Sequence, residues 1–322
     1  MSELPVPLYA LVTGANIRQA KNGNNYLETI IRTPVVTTKG MMWGIDVLGD
    51  PKCPHLGDII SVVEYEDKVK EHGNIAIKHF ERLTKSDIPE EAQCIFDAAM
   101  ASKEEMSWAE SIFNKVKWNN KKVGSFVLKC LKKFDKFKIC PGATHIHHNY
   151  KGGLFIHTAE VLNICIALVE CEFKYKFIDT DVLYVSAMLH DIGKIQTYYI
   201  DDFGMPQRTM QEKTIGHLAY GMHVIMEVAE ECGNLDPRFV DEVLHCVAAH
   251  HGQIEFGSIQ KCQSVEARIL SQADLISSRN AALEGKIKER NNNIPESIRV
   301  YDDEYFRSLG IEKYCANQKL SK

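Results

Sequence analysis

A histidine followed at once by an aspartate, His190-Asp191, closes the apolar run Val182 to Leu189. Around it along the chain stand His157, His217, His250, His251 and Asp274. Ten of the 13 histidines fall between His145 and His251, a density that scatter alone does not readily produce. Neighbouring residues of a helix point about 100° apart. Such a pair therefore ligates one metal ion, or holds two, only when other helices bring further ligands to it. Residues 143–290 are accordingly expected to form a set of helices facing one centre, and stretches such as Thr158 to Leu168 have the helical period.

Imidazole and carboxylate donors together suit manganese, iron, cobalt, nickel or zinc. Asp191, with two oxygens, is the natural bridge between two ions. One ion would take His157, His190, Asp191 and Asp274, and the other would share Asp191 and take His217 and His250. Two such ions about 3.5–4 Å apart activate water at neutral pH and neutralise a phosphoryl transition state. Lys194 follows Asp191 by three residues, faces the same side of a helix and could meet a phosphate oxygen. His251 could be a further ligand or protonate the leaving oxygen. His147 and His148, on a loop before Gly152-Gly153, could reach the substrate. Glu160, one turn after His157, either supports that ligand from behind or lies on the surface. A lone histidine in a helical protein is usually structural, so the weight rests on the set. His223 and His245 are expected to be surface or packing residues, and the bland alternative for Lys194 is a solvated side chain.

A chain of 322 residues suggests two domains. The net charge of −5 argues against a wholly basic nucleic-acid coat but allows a local basic groove. Ten irregularly spaced cysteines without a CxxC predict free, mostly buried thiols in a reducing cytosol, with no zinc-thiolate site. No signal peptide and no apolar run of membrane-spanning length is expected, so the chain reads as cytoplasmic without a membrane partner.

Residues 1–84 read as β. Leu8 to Val12, Tyr26 to Arg32 after the turn signal Asn22 to Asn25, Met41 to Ile45, Gly57 to Tyr65 and Asn74 to Phe80 predict five short strands. Five strands in this length suit a small barrel of the OB type. Such barrels bind single strands through exposed aromatic and basic side chains. Tyr26 and Trp43, with Arg18, Lys21 and Arg32, are the candidates, against the alternative that the two aromatics belong to the core or an edge. Residues 85–142 read as a helical connector that starts near Ser86 to Glu91. Apolar Phe126, Leu128, Leu131, Phe134 and Phe137 interleave there with Lys129, Lys132, Lys133, Lys136 and Lys138. That row is either a solvated helix face or a basic wall for a phosphate backbone. Beyond the breaker Asn291-Asn292-Asn293-Ile294-Pro295, residues 291–322 read as a C-terminal appendage with loose last residues.

Taken in succession, several motifs resemble those of the HD-domain metal-dependent phosphohydrolases. They are His147-His148-Asn149-Tyr150-Lys151-Gly152-Gly153-Leu154-Phe155-Ile156-His157-Thr158, His190-Asp191-Ile192-Gly193-Lys194, Gly216-His217, His250-His251-Gly252 and Gln272-Ala273-Asp274. More narrowly, residues 8 to about 285 are similar to the YhaM-type 3′-5′ exoribonucleases, which join an N-terminal OB fold to a C-terminal HD domain. The resemblance implies an OB-type barrel followed by an all-α HD domain. It implies a divalent metal centre, two ions per site and often manganese-supported, that removes nucleotides from the 3′ end of single-stranded RNA, with DNA the other candidate. By this match His157, His190, Asp191 and Asp274 take the H…HD…D positions. His217 and His250 match the additional histidines of two-metal members, and Lys194 matches a lysine that follows HD in several diesterase branches. Two features depart from the pattern: a barrel face poorer in basic and aromatic residues, and the segment Ile45 to His55, which does not align.

Two other readings compete. A phosphodiesterase of a small or cyclic dinucleotide would share His190 to Lys194, but no Gly-Tyr-Pro follows in the expected place. A nucleic-acid-binding module of a mobile element would carry the centre for structure alone, although its ligand set is intact. Oligonucleotide cleavage, small-nucleotide hydrolysis and binding without turnover separate the three.

Overall fold

The computed structural model describes residues 4–320, apart from 21, 70–72, 134, 145–146, 172–176, 290–295 and 302. Lys21, Phe134, His145, the Asn291 to Pro295 breaker and the last two residues therefore lie outside the described residues. The chain divides into two compact units. One comprises Met1–Ala98 with Asp202–Met205, the other Ala99–Asp201 with Pro206–Lys322.

In the first unit β1 (Leu8–Gln19), β2 (Asn25–Arg32), β3 (Thr37–Trp43), β4 (Ile59–Lys68) and β5 (Asn74–Leu83) close an OB-like barrel in the order β1-β2-β3-β5-β4. Only β3 and β5 pair in parallel. Alternation explains the inward set: Leu27, Thr29 and Ile31 of β2 are buried while their neighbours are half-buried. Each fully buried aliphatic side chain here stabilises the fold by roughly 1.5–3 kcal/mol over its exposed state. β1 runs well past the predicted Val12, because a bulge between Val12 and Gly14 lets it keep pairing with β2 as far as Gln19. β3 starts earlier than predicted, since Thr37 and Thr38 already pair with Arg32 and Ile31.

The helix expected from Ser86 does not form. Lys85–Asp87 and Glu90–Phe96 are tight 3-10 turns, and Ile88, Ala92 and Ile95 pack with Leu11 and Ile59 on the outside of the barrel. Pro89 brings no N–H to a continuing helix, and Arg32 receives the end of the segment by donating to the carbonyls of Ile95 and Asp97. Arg32 is thereby committed to the barrel's own structure. Arg18 lies 3.5 Å from Glu28, which also holds Lys39. The aligning gap at Ile45 to His55 is a loop pinned by Arg82, which donates to Asp58 and to the carbonyls of Pro51 and Cys53.

The second unit is helical. Its elements are α1 (Lys103–Lys115), α2 (Lys121–Lys132), α3 (Gly153–Glu170), α4 (Thr180–Leu189), α5 (Lys194–Thr197), α6 (Met210–Thr214), α7 (His217–Cys232), α8 (Pro237–Ala249), α9 (Val265–Glu289) and α10 (Leu309–Leu320). Two short ribbons, β6 (Tyr198–Ile200) with β7 (Pro206–Arg208) and β8 (Ser297–Val300) with β9 (Asp303–Phe306), interrupt it. Residues 85–142 are thus shared between the two units. Ile298, Val300 and Cys315 of the C-terminal segment pack on Ala282 and Ile287 of α9.

Buried carboxylates set the helix ends. Asp181 accepts from the backbone N–H groups of Asn119 at 3.0 Å and Asn120 at 2.9 Å, joining the start of α2 to α4. Glu266 accepts from the N–H of Asp179 at 2.9 Å, joining α4 to α9. Two of the five lysines read as a basic wall are neutralised within the unit: Lys133 by Glu227 and Glu231, Lys138 by Glu110. Leu128, on α2, stays exposed.

α3 corrects the expectation that no stretch is long and apolar enough to cross a bilayer. By length and composition it is, with a mean hydropathy of 1.5 over 18 residues, and 61% of it is buried inside the protein. His157, Thr158 and Glu160 disguise it in sequence. All ten cysteines are free, and Cys53, Cys130, Cys140, Cys165, Cys246 and Cys315 are buried.

Candidate metal centre

α4 and α8 end in the same way, with a histidine as the capping residue. The last carbonyls of a helix have no partner within it. His190 Nδ1 donates to the Ala187 carbonyl at 2.9 Å, and His250 Nδ1 to the Val247 carbonyl at 2.8 Å. Each Nε2 is thereby turned away from its own helix. His190 keeps helical dihedrals at the end of α4, Asp191 follows in a turn, and their side chains meet, Nε2 to Oδ2, at 3.5 Å.

His217 opens α7, and its Nδ1 is held by Glu212 Oε1 at 3.0 Å. A Cβ on Gly193 would collide with the His217 carbonyl oxygen. Glycine after His190-Asp191-Ile192 is what lets α7 begin beside that turn. His157 comes from the first turns of α3, its Nδ1 3.0 Å from Ser277 Oγ, and Ser277 donates to Glu160 at 2.5 Å. Asp274 comes from α9.

All four Nε2 atoms surround one carboxylate. Asp191 Oδ2 faces His190, and His157 at 3.6 Å. Asp191 Oδ1 faces His217 at 3.4 Å and His250 at 3.8 Å. Asp274 Oδ1 lies 3.1 Å from His157 Nε2, and the Nε2 atoms of His157 and His190 are 3.2 Å apart. Most of the set is buried: Asp191 is 3% exposed and His190 not at all, while Asp274 is half-buried.

Two acceptor atoms of the set lack a donor. Asp191 Oδ1 and His217 Nε2 are buried and make no hydrogen bond. A buried polar group left so costs about 1–3 kcal/mol. A divalent cation among these nitrogens and oxygens would satisfy them together, and the donor types are those such ions take. The residues present fit a metal centre. Among the described residues, three groups are compact enough to hold an ion: His157, His190 and Asp191; His217, His250 and His251; and His148, His157 and Glu160.

The charges are fixed by their neighbours. Burial would raise the Asp191 carboxyl, but Lys194 and His190 outweigh it and hold it well below the carboxylate range. Burial would likewise strip Lys194 of its proton, and Asp191 outweighs that, keeping the ammonium. His190 is raised because the charge of Asp191 overcomes burial. Burial pushes His157, His250 and His251 down, and takes His147 to about 3.

The other sequence candidates fall as follows. Lys194 Nζ is occupied within the protein, 2.7 Å from Asp191 Oδ2 and 2.8 Å from the Gly142 carbonyl. His251 stacks edge-on against His250, and its buried Nδ1 makes no hydrogen bond. His148 is turned inward, its Nε2 3.2 Å from Glu160, and its Nδ1 is 3.3 Å from that of His147. His223 is exposed, and His245 accepts the N–H of Gln263. On the barrel, Tyr26 and Trp43 stand opposite each other on β2 and β3 with ring centroids 5.0 Å apart. Trp43 is 55% exposed and, with Asn24, Asn25 and Asp46, lines a cavity of about 350 Å³.

Sequence reasoning did not name Ser277, Glu212 or the Gly142 carbonyl. Ser277 carried one local signal, since it follows Asp274 by three residues on one helix face.

The family model described as HD domain matches residues 154–279. The relatives to which the chain is similar include three proteins named 3′-5′ exoribonuclease YhaM. The one from Halalkalibacterium halodurans is 25% identical, covering 92% of this chain and 91% of its own. That from Listeria welshimeri is 25% identical over 84% of both chains. That from a Geobacillus species is 26% identical over 84% of this chain and 81% of its own. No solved structure matches the chain.

Proposed function

We propose, from the premise that residues 154–279 of this chain are an HD domain, that the protein is a metal-dependent exonuclease which removes nucleotides from the 3′ end of single-stranded RNA. The observation that carries the reading is the division of Asp191. Its two oxygens face two separate pairs of histidines, and its Oδ1 is buried without a hydrogen bond.

His157, His190, Asp191 and Asp274 would hold one ion, and Asp191, His217 and His250 a second, with manganese as the native metal. Divalent ions in such a site supply an activated water and neutralise charge on a phosphodiester. The chain's own groups do the rest. Lys194 keeps Asp191 ionised and oriented. The backbone bonds of His190 and His250, and the carboxylate bond of His217, aim their Nε2 atoms inward. His251 is held neutral by burial and has an open Nδ1. It is therefore suited to completing the second set or accepting a proton rather than delivering one. His147, beside His148 on the loop before α3, is the candidate to meet the substrate there. Tyr26 and Trp43 offer a stacking surface for bases on the barrel. The name shared by the relatives favours a polynucleotide over a small nucleotide, and turnover over binding alone.

The test is a 5′-labelled single-stranded RNA and its DNA counterpart, incubated in Mn²⁺ with the wild type and with Asp191→Asn. A ladder that shortens from the 3′ end, absent in the variant, supports the reading. Intact strands from a wild type that still binds Mn²⁺ overturn it.

A further inference from the structure

Behind the centre lies a chain of polar groups that the reaction does not itself require. Ser277 Oγ is 2.5 Å from Glu160 Oε2, and the only proton available to that contact is the hydroxyl's when the carboxylate is ionised. Ser277 therefore donates to Glu160, which leaves its oxygen to accept from His157 Nδ1 at 3.0 Å. That assignment puts the His157 proton on Nδ1 and the lone pair on Nε2. The same Glu160 oxygen receives His148 Nε2 at 3.2 Å. The remaining His148 nitrogen, Nδ1, then accepts from His147 Nδ1 at 3.3 Å. Every proton in the series has one consistent place.

The backbone is built to hold the outer part of this series. His148 has a φ of 51°, in the left-handed region that few non-glycine residues occupy. Its carbonyl accepts the Gly142 N–H at 2.9 Å, and a Cβ on Gly153 would collide with that carbonyl. His148 is thereby held between Gly142 and Gly153, its Nε2 turned to Glu160. Ser277 and Glu160 belong to different helices, α9 and α3, and both line a cleft of about 280 Å³ together with Trp108, Asn163, Asn280 and Glu284.

We propose that Glu160, acting through Ser277 and braced by His148, is a positioning residue that fixes His157 as the Nδ1–H tautomer and so presents the Nε2 lone pair to the metal centre. The inference rests on the metal-centre reading above, but it concerns groups outside the ligand set. The other three histidines are oriented by a single partner each, Ala187, Glu212 or Val247. His157 alone is held through a hydroxyl, so this link is the one a small substitution can cut.

The experiment compares wild type, Ser277→Ala, Ser277→Thr and Glu160→Ala, each checked by thermal unfolding. Metal-free protein labelled with ¹⁵N-histidine, with His157 assigned by loss of its signals in His157→Gln, reports the tautomer. Mn²⁺ affinity is read from the signal of the free ion during titration. In Ser277→Ala and Glu160→Ala the His157 signals should shift toward a tautomer mixture and Mn²⁺ should bind about 10–100-fold more weakly. Ser277→Thr, which keeps the hydroxyl, should restore both. Wild-type tautomer and affinity in folded Ser277→Ala would overturn the proposal. Failure of the wild type to bind Mn²⁺ would instead sink the metal-centre reading, and the tautomer measurement on metal-free protein would still decide whether the link exists.

Discussion

Lys194 Nζ lies 2.7 Å from Asp191 Oδ2, the same oxygen that faces His157 and His190. The ammonium also donates to the Gly142 carbonyl, so it neutralises the carboxylate while tying the loop after α2 to the centre. Removing one partner of a buried pair costs about 3–5 kcal/mol. Lys194→Met should therefore melt well below the wild type in chelator, with Mn²⁺ recovering much of the loss because the cation takes over the charge of Asp191. Calorimetry with and without metal checks this, and an equal loss in both would show that Lys194 is not there to balance Asp191.

Trp43 is more exposed than buried and faces Tyr26 across β2 and β3. Stacking of a base on an aromatic ring is worth roughly 1–3 kcal/mol. Trp43→Ala should weaken binding of a labelled single-stranded RNA by about 5- to 150-fold, with Trp43→Phe in between and unfolding little changed. Fluorescence anisotropy measures it, and unchanged affinity would remove the barrel face from the substrate path.

His147 is pushed down to about 3 by burial, with the nearby His157 and His148 adding to it. A depressed folded pKa means that the unfolded chain binds the proton first. The contribution is therefore complete above the unfolded value near 6.5 and is lost as pH falls from there toward about 3. Between about pH 7.5 and about pH 5.5 this one group should cost metal-free protein about 1.4 kcal/mol. His147→Gln should flatten that part of the urea-unfolding profile. A profile of unchanged steepness would mean that His147 is protonated in the folded state.

Cys130, Cys140, Cys165 and Cys246 are pushed up to about 12 by burial, so they should stay silent to a thiol reagent until the chain unfolds. Cys94 and Cys171 are exposed and should react at once. Cys53 is also buried, on the loop that Arg82 pins through the Pro51 and Cys53 carbonyls. Arg82→Ala should add one fast-reacting thiol at Cys53, identified by mass spectrometry of the labelled peptide. No added label would show that packing with Leu27 and Ile45 holds the loop without the arginine.

Much of this was legible in the chain because it depends on local period. Alternation marks β2 whatever its partners, and the histidines at the ends of α4 and α8 orient themselves on carbonyls three residues back. Other features were not legible because the partner is remote. Arg32 reads as a candidate for the substrate strand, yet it donates to carbonyls more than sixty residues away. Glu90 to Phe96 has a helix start, yet barrel packing sets a tighter turn. Lys133 and Lys138 read as either a solvated helix face or a basic wall, and only the fold sets Glu227 and Glu110 against them.

The sequence alone determined that a barrel precedes a helical unit, and that His157, His190, Asp191, His217, His250 and Asp274 belong together. Residue type and period are properties of the chain itself. Only the tertiary structure decided that the two oxygens of Asp191 divide the histidines, and that Ser277 links His157 to Glu160 from 120 residues away. A hydrogen bond exists only where folding brings donor and acceptor within about 3 Å of each other, and no local pattern encodes that approach.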